Sequence, residues 1–480
     1  MEQKKVKIGF IPANRGFFSD KLAAEMRAAT IDALKAVGAQ VVVPGPKDTK
    51  VGCVESLEEA LKVGRMFAEQ GVQGVVVGAV NFGDEQGVAL ALKEMGRKVP
   101  ILIFGCQEAE VLKPTTARRD SFCGLLSIGE ALRQLGLPYS VPETPICLPS
   151  DDGFRQSLAR FLAVVRVVDG LRKARYGQIG ARPDAFWTCR YDEKALQALG
   201  VTVVSLDLSE AIAAVNNMKV DAQVRKVMND LSASLDTSAV SEEVLSKIAR
   251  FERFCLGFVK ERQLDALAIQ CWTSLQANLG ICSCATMGRL DDRGIPAACE
   301  SDILGTLSMH ALQLAGGGPA CLADWNNLHN EDPELANCWH CGVFPHSWAK
   351  GKAKMGCQEI VAGTVGREKA MGVVEFVMQD GPVTLCRATQ DGQAFKVVLA
   401  QGAVEPNEAS TFGAYGWVRI PGLQKLYRNV LVRHFPHHVA MTRGQVGNIL
   451  WEAFGNYLGF ATYTADNAAG AWTPELPFGM

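Results

Sequence analysis

Four short apolar runs in the first third of the chain, at residues 6–11, 41–43, 74–77 and 101–104, leave few architectures open. Each is too short for a helix and too continuously apolar for a strand with one wet face. Amphipathic stretches of helical length, at 20–37 and 56–70, lie between them. Buried strands alternating with helices predict a parallel, doubly wound sheet covered on both faces. A long helix over 153–175 follows, and then a second set of the same kind: 176–180, 201–206, a helix-rich stretch over 217–262, and 266–269. After residue 350 the texture changes. Runs at 372–378, 382–387, 394–399 and 417–420 are separated by Gly- and Asp-rich turns, which predicts antiparallel sheet or a small barrel. A strand at 439–442 and an amphipathic helix over 444–458 come last. The expected class is α/β: two doubly wound parallel-sheet domains, 1–170 and 171–350, followed by a mainly antiparallel β C-terminal domain, 351–480.

Composition narrows the class of partner. A net charge of −2 over 480 residues gives no basic footprint for nucleic acid or an anionic membrane. No apolar run reaches the roughly 18 residues of a membrane span, and the charged start of the chain lacks the apolar core of a signal peptide. Fifteen cysteines, an odd number scattered through apolar segments, fit reduced thiols in a cytoplasmic enzyme better than a disulfide framework.

The most chemically loaded segment lies at 295–324. An apolar run at 295–299 ends on Glu300, a helix is predicted over 302–315, glycines and Pro319 stop it, and a second run at 320–323 ends on Asp324. Strand, helix and strand of this length predict a right-handed crossover with parallel strands. Neighbouring strands lie about 4.8 Å apart, so both acids are expected in the crevice at the carboxyl ends, where open α/β sheets bind ligands. Two carboxylates brought together repel unless a proton or a cation sits between them. A divalent metal is the economical answer. His437 and His438 precede the last strand, and adjacent strand residues point to opposite faces, so at most one is expected at a given metal.

Ala298-Cys-Glu-Ser-Asp-Ile-Leu-Gly305, Leu322-Ala-Asp-Trp-Asn326 and His438 followed by Gly444 resemble the metal-binding signatures of the L-fucose isomerase family. Tyr176-Gly-Gln-Ile-Gly-Ala-Arg-Pro183 and Arg119-Asp-Ser-Phe-Cys-Gly124 are similar to it as well, so the resemblance runs through most of the chain in order. It implies Mn²⁺, with Mg²⁺ or Co²⁺ as alternatives, held by Glu300, Asp324 and His438; a one-residue slip would select His437 instead. It further implies an aldose–ketose isomerase, an intramolecular oxidoreductase working through an enediolate stabilised by the metal. Glu300 and Asp324 would serve as ligands and as acid/base groups. The substrate would be a monosaccharide: L-fucose, D-arabinose, or an anionic sulfonated hexose. A homo-oligomer, specifically a hexamer, is implied too, with the first domain of one subunit capping the site of another. Two carboxylates, an imidazole and open positions suit a hard, octahedral ion.

Arg15, Gln270, Trp272, His340 and His437 are the expected substrate contacts, and His340 is alternatively an additional ligand. Cys338, His340 and Cys341 with Cys282 and Cys284 lack ribbon-like zinc spacing and are expected as buried thiols. The competing reading is a non-catalytic sugar-binding module of two α/β domains. A mere binder has no need to desolvate two acids beside an imidazole, which favours the enzyme.

Overall fold

All four apolar runs of the first third are strands of one parallel sheet, ordered β2–β1–β3–β4–β5. The strands are β1 (Lys7–Ala13), β2 (Gln40–Val42), β3 (Gly74–Ala79), β4 (Ile101–Cys106) and β5 (Ile146–Cys147). Alternate side chains feed two cores. Ile11, Val75, Val77 and Ile103 enter one, while Ile8, Phe10, Val76 and Phe104 enter the other. This is why the runs read as continuous rather than alternating hydrophobicity. Local signals set the helix ends: Ser56 accepts the Glu59 N–H to start the helix Leu57–Gln70, and Gly71, at φ 65°, stops it. The strand order places a switch point between β1 and β3, where Asn14 and Asn81 are buried just beyond the strand ends.

The computed structural model describes residues 5–108 and 110–479. They fall into two units: one ends at Asp169 and includes Asn456–Leu458, and the other runs over Gly170–Gly455 and from Gly459 onward. The second unit opens with a four-stranded parallel sheet, β7–β6–β8–β9, built from β6 (Arg175–Ile179), β7 (Thr202–Leu206), β8 (Ala266–Ile269) and β9 (Ala297–Cys299).

The other nine strands form one mixed sheet, mostly antiparallel. These are β10 (Ala320–Leu328), β11 (Leu335–His340), β12 (Lys354–Cys357), β13 (Met371–Val377), β14 (Gly381–Asp391), β15 (Ala394–Glu405), β16 (Ala414–Arg419), β17 (His438–Arg443) and β18 (Ala461–Tyr463). Pairing of β15 with β16 closes the ring β16–β11–β10–β17–β14–β15, in which each neighbour is antiparallel. Closure removes the edges that an open sheet would expose.

The expected parallel crossover between 295 and 324 does not form. β9 and β10 do not pair. β9 is the edge of the parallel sheet, whereas β10 lies in the ring between β11 and β17 and continues through Asp324 to Leu328. The connecting helix, Ile303–Gly316, shows the physical reason. It is buried without a break from Ile303 to Ala311, and a helix that is apolar all round cannot be an outer crossover with a wet face. It lies under both sheets and delivers the chain from one to the other.

No described helix is long and apolar enough to cross a membrane. All fifteen cysteines are free thiols.

Candidate metal centre

The site is assembled where the parallel sheet hands over to the ring. Glu300 follows β9 with φ 60°, and Ser301 with φ 54°. Left-handed backbone at non-glycine residues costs on the order of 1–3 kcal/mol and persists only where the surroundings enforce it. The sharp turn lets Glu300 face the crevice while Asp302, two residues on, caps the next helix by accepting the Gly305 N–H at 2.8 Å. Asp324 and His438 are direct cross-strand partners on β10 and β17. His340 ends β11, the strand on the other side of β10.

His438 Nε2 lies 2.8 Å from Glu300 Oε2 and 3.7 Å from Asp324 Oδ1, and His437 Nε2 lies 3.9 Å from the same Asp324 oxygen. The face-alternation argument does not separate the two histidines, because His437 precedes β17 rather than belonging to it. Two donor sets, Glu300/His340/His438 and Asp324/His437/His438, each fall within 4.8 Å. Asp324 Oδ1 and His340 Nε2 are buried without a hydrogen-bond partner, and Glu300 Oε2 has only the His438 imidazole against it. An orphaned buried polar atom costs about 1–3 kcal/mol; among the described residues Glu300 and Asp324 share no compact donor set, but both face His438, where a cation would relieve them. The residues present therefore fit a divalent metal.

Electrostatics prepare the imidazole. His438 Nδ1 lies 2.8 Å from Asp302 Oδ2, and the Arg387 guanidinium donates to both Asp302 oxygens; all three residues are buried. Burial opposes the Asp302 charge, but Arg387 and His438 outweigh it and hold the carboxyl well below the usual range. Burial likewise opposes charge on His438, yet Asp302 holds it well above an ordinary histidine. Against its own burial, Glu300 is drawn down by His438. His340 also resists burial and is lifted to about 9 by Cys341 and Asp324. A carboxylate on Nδ1 fixes the ring and leaves Nε2 for the site, the arrangement usual behind a metal-bound histidine.

Of the expected residues, Glu300, Asp324, His438, His437, His340 and Trp272 are brought together. Trp272 donates its indole N–H to Glu300 Oε1 at 2.9 Å. Gln270 is spent elsewhere: it accepts the Ala181 N–H at 2.9 Å and braces the loop after β6. Arg15 belongs to the other unit, where it donates to the Gly83 carbonyl at 2.8 Å, pairs with Glu85 and lies 4.5 Å from the Phe82 ring centre. Sequence reasoning missed Asp302, Arg387 and Phe186. The first is visible in hindsight as a helix cap within the Ala298–Gly305 motif. Phe186 packs edge-on against Trp272 at 5.1 Å and His437 at 5.7 Å, walling the site. The open side is set by exposure: the His437 side chain is 45% exposed and that of His438 1%.

Comparison with known proteins shows the family of the chain. Residues 9–172 match the family described as fucose/sulfoquinovose isomerase, N-terminal domain, and residues 338–464 match L-fucose isomerase, C-terminal domain. A sulfoquinovose isomerase of Priestia megaterium is 25% identical over 395 residues, covering 82% of this chain and 84% of its own. Another, from Alkalicoccus urumqiensis, is 26% identical over 330 residues, covering 68% of this chain and 71% of its own. Both family domains stand in order on one chain, and the residues between them supply two carboxylates to a histidine of the second; the protein is a member of the L-fucose isomerase family of metal-dependent enzymes, an aldose–ketose isomerase.

Proposed function

We propose that Glu300, Asp324 and His438 hold a divalent cation of the Mn²⁺ class, with His340 and His437 at its margin, and that the substrate is a sulfonated hexose. The gathering of two buried, unpartnered atoms, Asp324 Oδ1 and His340 Nε2, and the Glu300 carboxylate about His438 carries the metal reading. The relatives named sulfoquinovose isomerase support the substrate. Carboxylate and imidazole donors favour a hard ion, with Mg²⁺ or Co²⁺ as alternatives.

When bound, the cation would polarise the sugar carbonyl and stabilise negative charge on its oxygens. The protein does the rest. Trp272 fixes one oxygen of Glu300, so the other addresses the site. Of Glu300 and Asp324, one removes the C2 proton and the other moves a hydroxyl proton between O1 and O2, work worth about 10²–10⁴-fold. Phe186 and Trp272 exclude water from one side, and substrate enters past Asp324 and His437.

Restoring Mn²⁺ to EDTA-stripped protein is expected to restore interconversion of sulfoquinovose and its 2-ketose, followed by NMR alongside L-fucose and D-arabinose. Turnover of the neutral sugars alone would remove the sulfonated substrate. Full activity in EDTA would end the metal reading. In D₂O, deuterium is expected at C1 of the ketose or C2 of the aldose; its complete absence would favour a hydride shift, with the acids as ligands only.

Protons and metal compete for the same carboxylates and imidazole. Activity therefore falls in acid, and raising Mn²⁺ moves the acid limb of the pH profile to lower pH. A limb that ignores metal concentration would count against the three ligands.

We also infer a homo-oligomer, a hexamer by family resemblance, working in the cytoplasm, with Arg15 contacting substrate or a neighbouring subunit. The free thiols are consistent with a reducing compartment. Sedimentation that finds an active monomer at assay concentration would refute the assembly.

A further inference from the structure

The wall behind Glu300 is made of thiols. Cys299 ends β9 and directly precedes Glu300, while Cys271 follows β8 and directly precedes Trp272, whose indole holds Glu300. β8 and β9 are parallel neighbours with Ile269 opposite Cys299, so the chain beyond β8 brings Cys271 alongside. The two sulfurs lie 2.9 Å apart, and both residues are buried. With a Glu300 carboxylate oxygen they make a three-donor set in which all ligand atoms fall within 4.8 Å of one another.

We propose that Cys271, Cys299 and Glu300 form a second cation site, for a thiophilic ion such as Zn²⁺ or Cd²⁺, whose occupation draws Glu300 away from the hard-metal centre. The inference rests on the reading of Glu300 as a ligand of that centre. Sulfur donors select soft and borderline ions, whereas Mn²⁺ prefers oxygen and nitrogen, so the two sites differ in the ion they take while sharing one carboxylate. Glu300 is suited to sharing. One oxygen faces Trp272 and the other faces His438, and its left-handed backbone ties its direction to the turn that also carries Cys299. A thiophilic ion on the two sulfurs must pull that carboxylate toward β8 and leave Asp324 and the histidines with one ligand fewer.

A second thiol pair adjoins the first, because Cys341 also interacts with Cys299. Cys284 and Cys341 lie 3.7 Å apart, with His340 Nδ1 at 3.2 Å from Cys341. Among the described residues this pair is not part of a compact three-donor set.

The test is a titration of the Mn²⁺-loaded enzyme with Cd²⁺, reading ultraviolet thiolate-to-Cd²⁺ charge transfer and isomerase activity together. We expect the absorption to saturate at one Cd²⁺ per chain with parallel loss of activity, both reversed by a dithiol chelator. Cys271→Ser and Cys299→Ser should keep Mn²⁺-dependent activity and lose both the absorption and the inhibition. Cys284→Ser, which leaves Cys341 beside Cys299 in place, should keep both the absorption and the inhibition. Should the first pair of variants fail to fold, X-ray absorption of the Cd²⁺-loaded wild type decides: two sulfur ligands with oxygen are expected, and three or four sulfurs overturn the proposal. Absence of the absorption in wild type, or its survival in the Cys271 and Cys299 variants, also overturns it while leaving the functional reading intact. Charge transfer without inhibition overturns the shared carboxylate. If Glu300→Gln leaves Mn²⁺ content unchanged, it is the reading of Glu300 as a ligand of the hard-metal centre that has failed.

Discussion

Glu300→Gln is expected to lower kcat by about 10²–10⁴-fold, the usual range for loss of a positioned acid or base, and to lower the Mn²⁺ bound per chain. The amide keeps the shape of the side chain and can still accept the Trp272 N–H on one oxygen, which separates the loss of charge from a loss of packing. What disappears is the anionic oxygen 2.8 Å from His438 Nε2. Steady-state kinetics and metal analysis of the same preparation check the prediction. Activity lost at full metal content would make Glu300 an acid or base without being a ligand. Both quantities unchanged would remove it from the site.

Asp302→Asn is expected to act through two separable effects. Its carboxylate is the partner of the fully buried Arg387, and removing one member of a buried pair leaves an uncompensated charge at a cost of about 3–5 kcal/mol. Its second effect is on His438, which loses the carboxylate behind Nδ1; outer partners of metal-bound histidines are typically worth about 10–100-fold in metal affinity. Denaturant unfolding reads the first effect and Mn²⁺ binding the second. Combining Asp302→Asn with Arg387→Met removes the stranded guanidinium and should recover stability without recovering affinity. If affinity returns together with stability, Asp302 only holds the fold and does not position the imidazole.

The sequence determined the parallel sheets and most of the side chains that meet at the candidate site. Strands buried on both faces, such as 74–77 and 266–269, are continuous apolar runs that need no partner to be recognised, and the reactive side chains stand in motifs a few residues long. Four of the six ring strands, β14 to β17, were legible as turn-separated runs after residue 350, read as antiparallel sheet or a small barrel; β10 and β11 were not. Two things were decided only in three dimensions. One is the sheet to which β10 belongs: local pattern gives a strand and its flanking helix, but pairing with β17 rather than β9 depends on how the buried helix Ile303–Gly316 lies between two sheets. The other is the set of partners behind the proposed metal ligands. Arg387 is 85 residues from Asp302, and Cys271 is 28 from Cys299. Such contacts leave no periodic mark on the chain, because they arise when sheets close and strand ends meet, whereas sequence patterns record only which face of its own element a residue occupies.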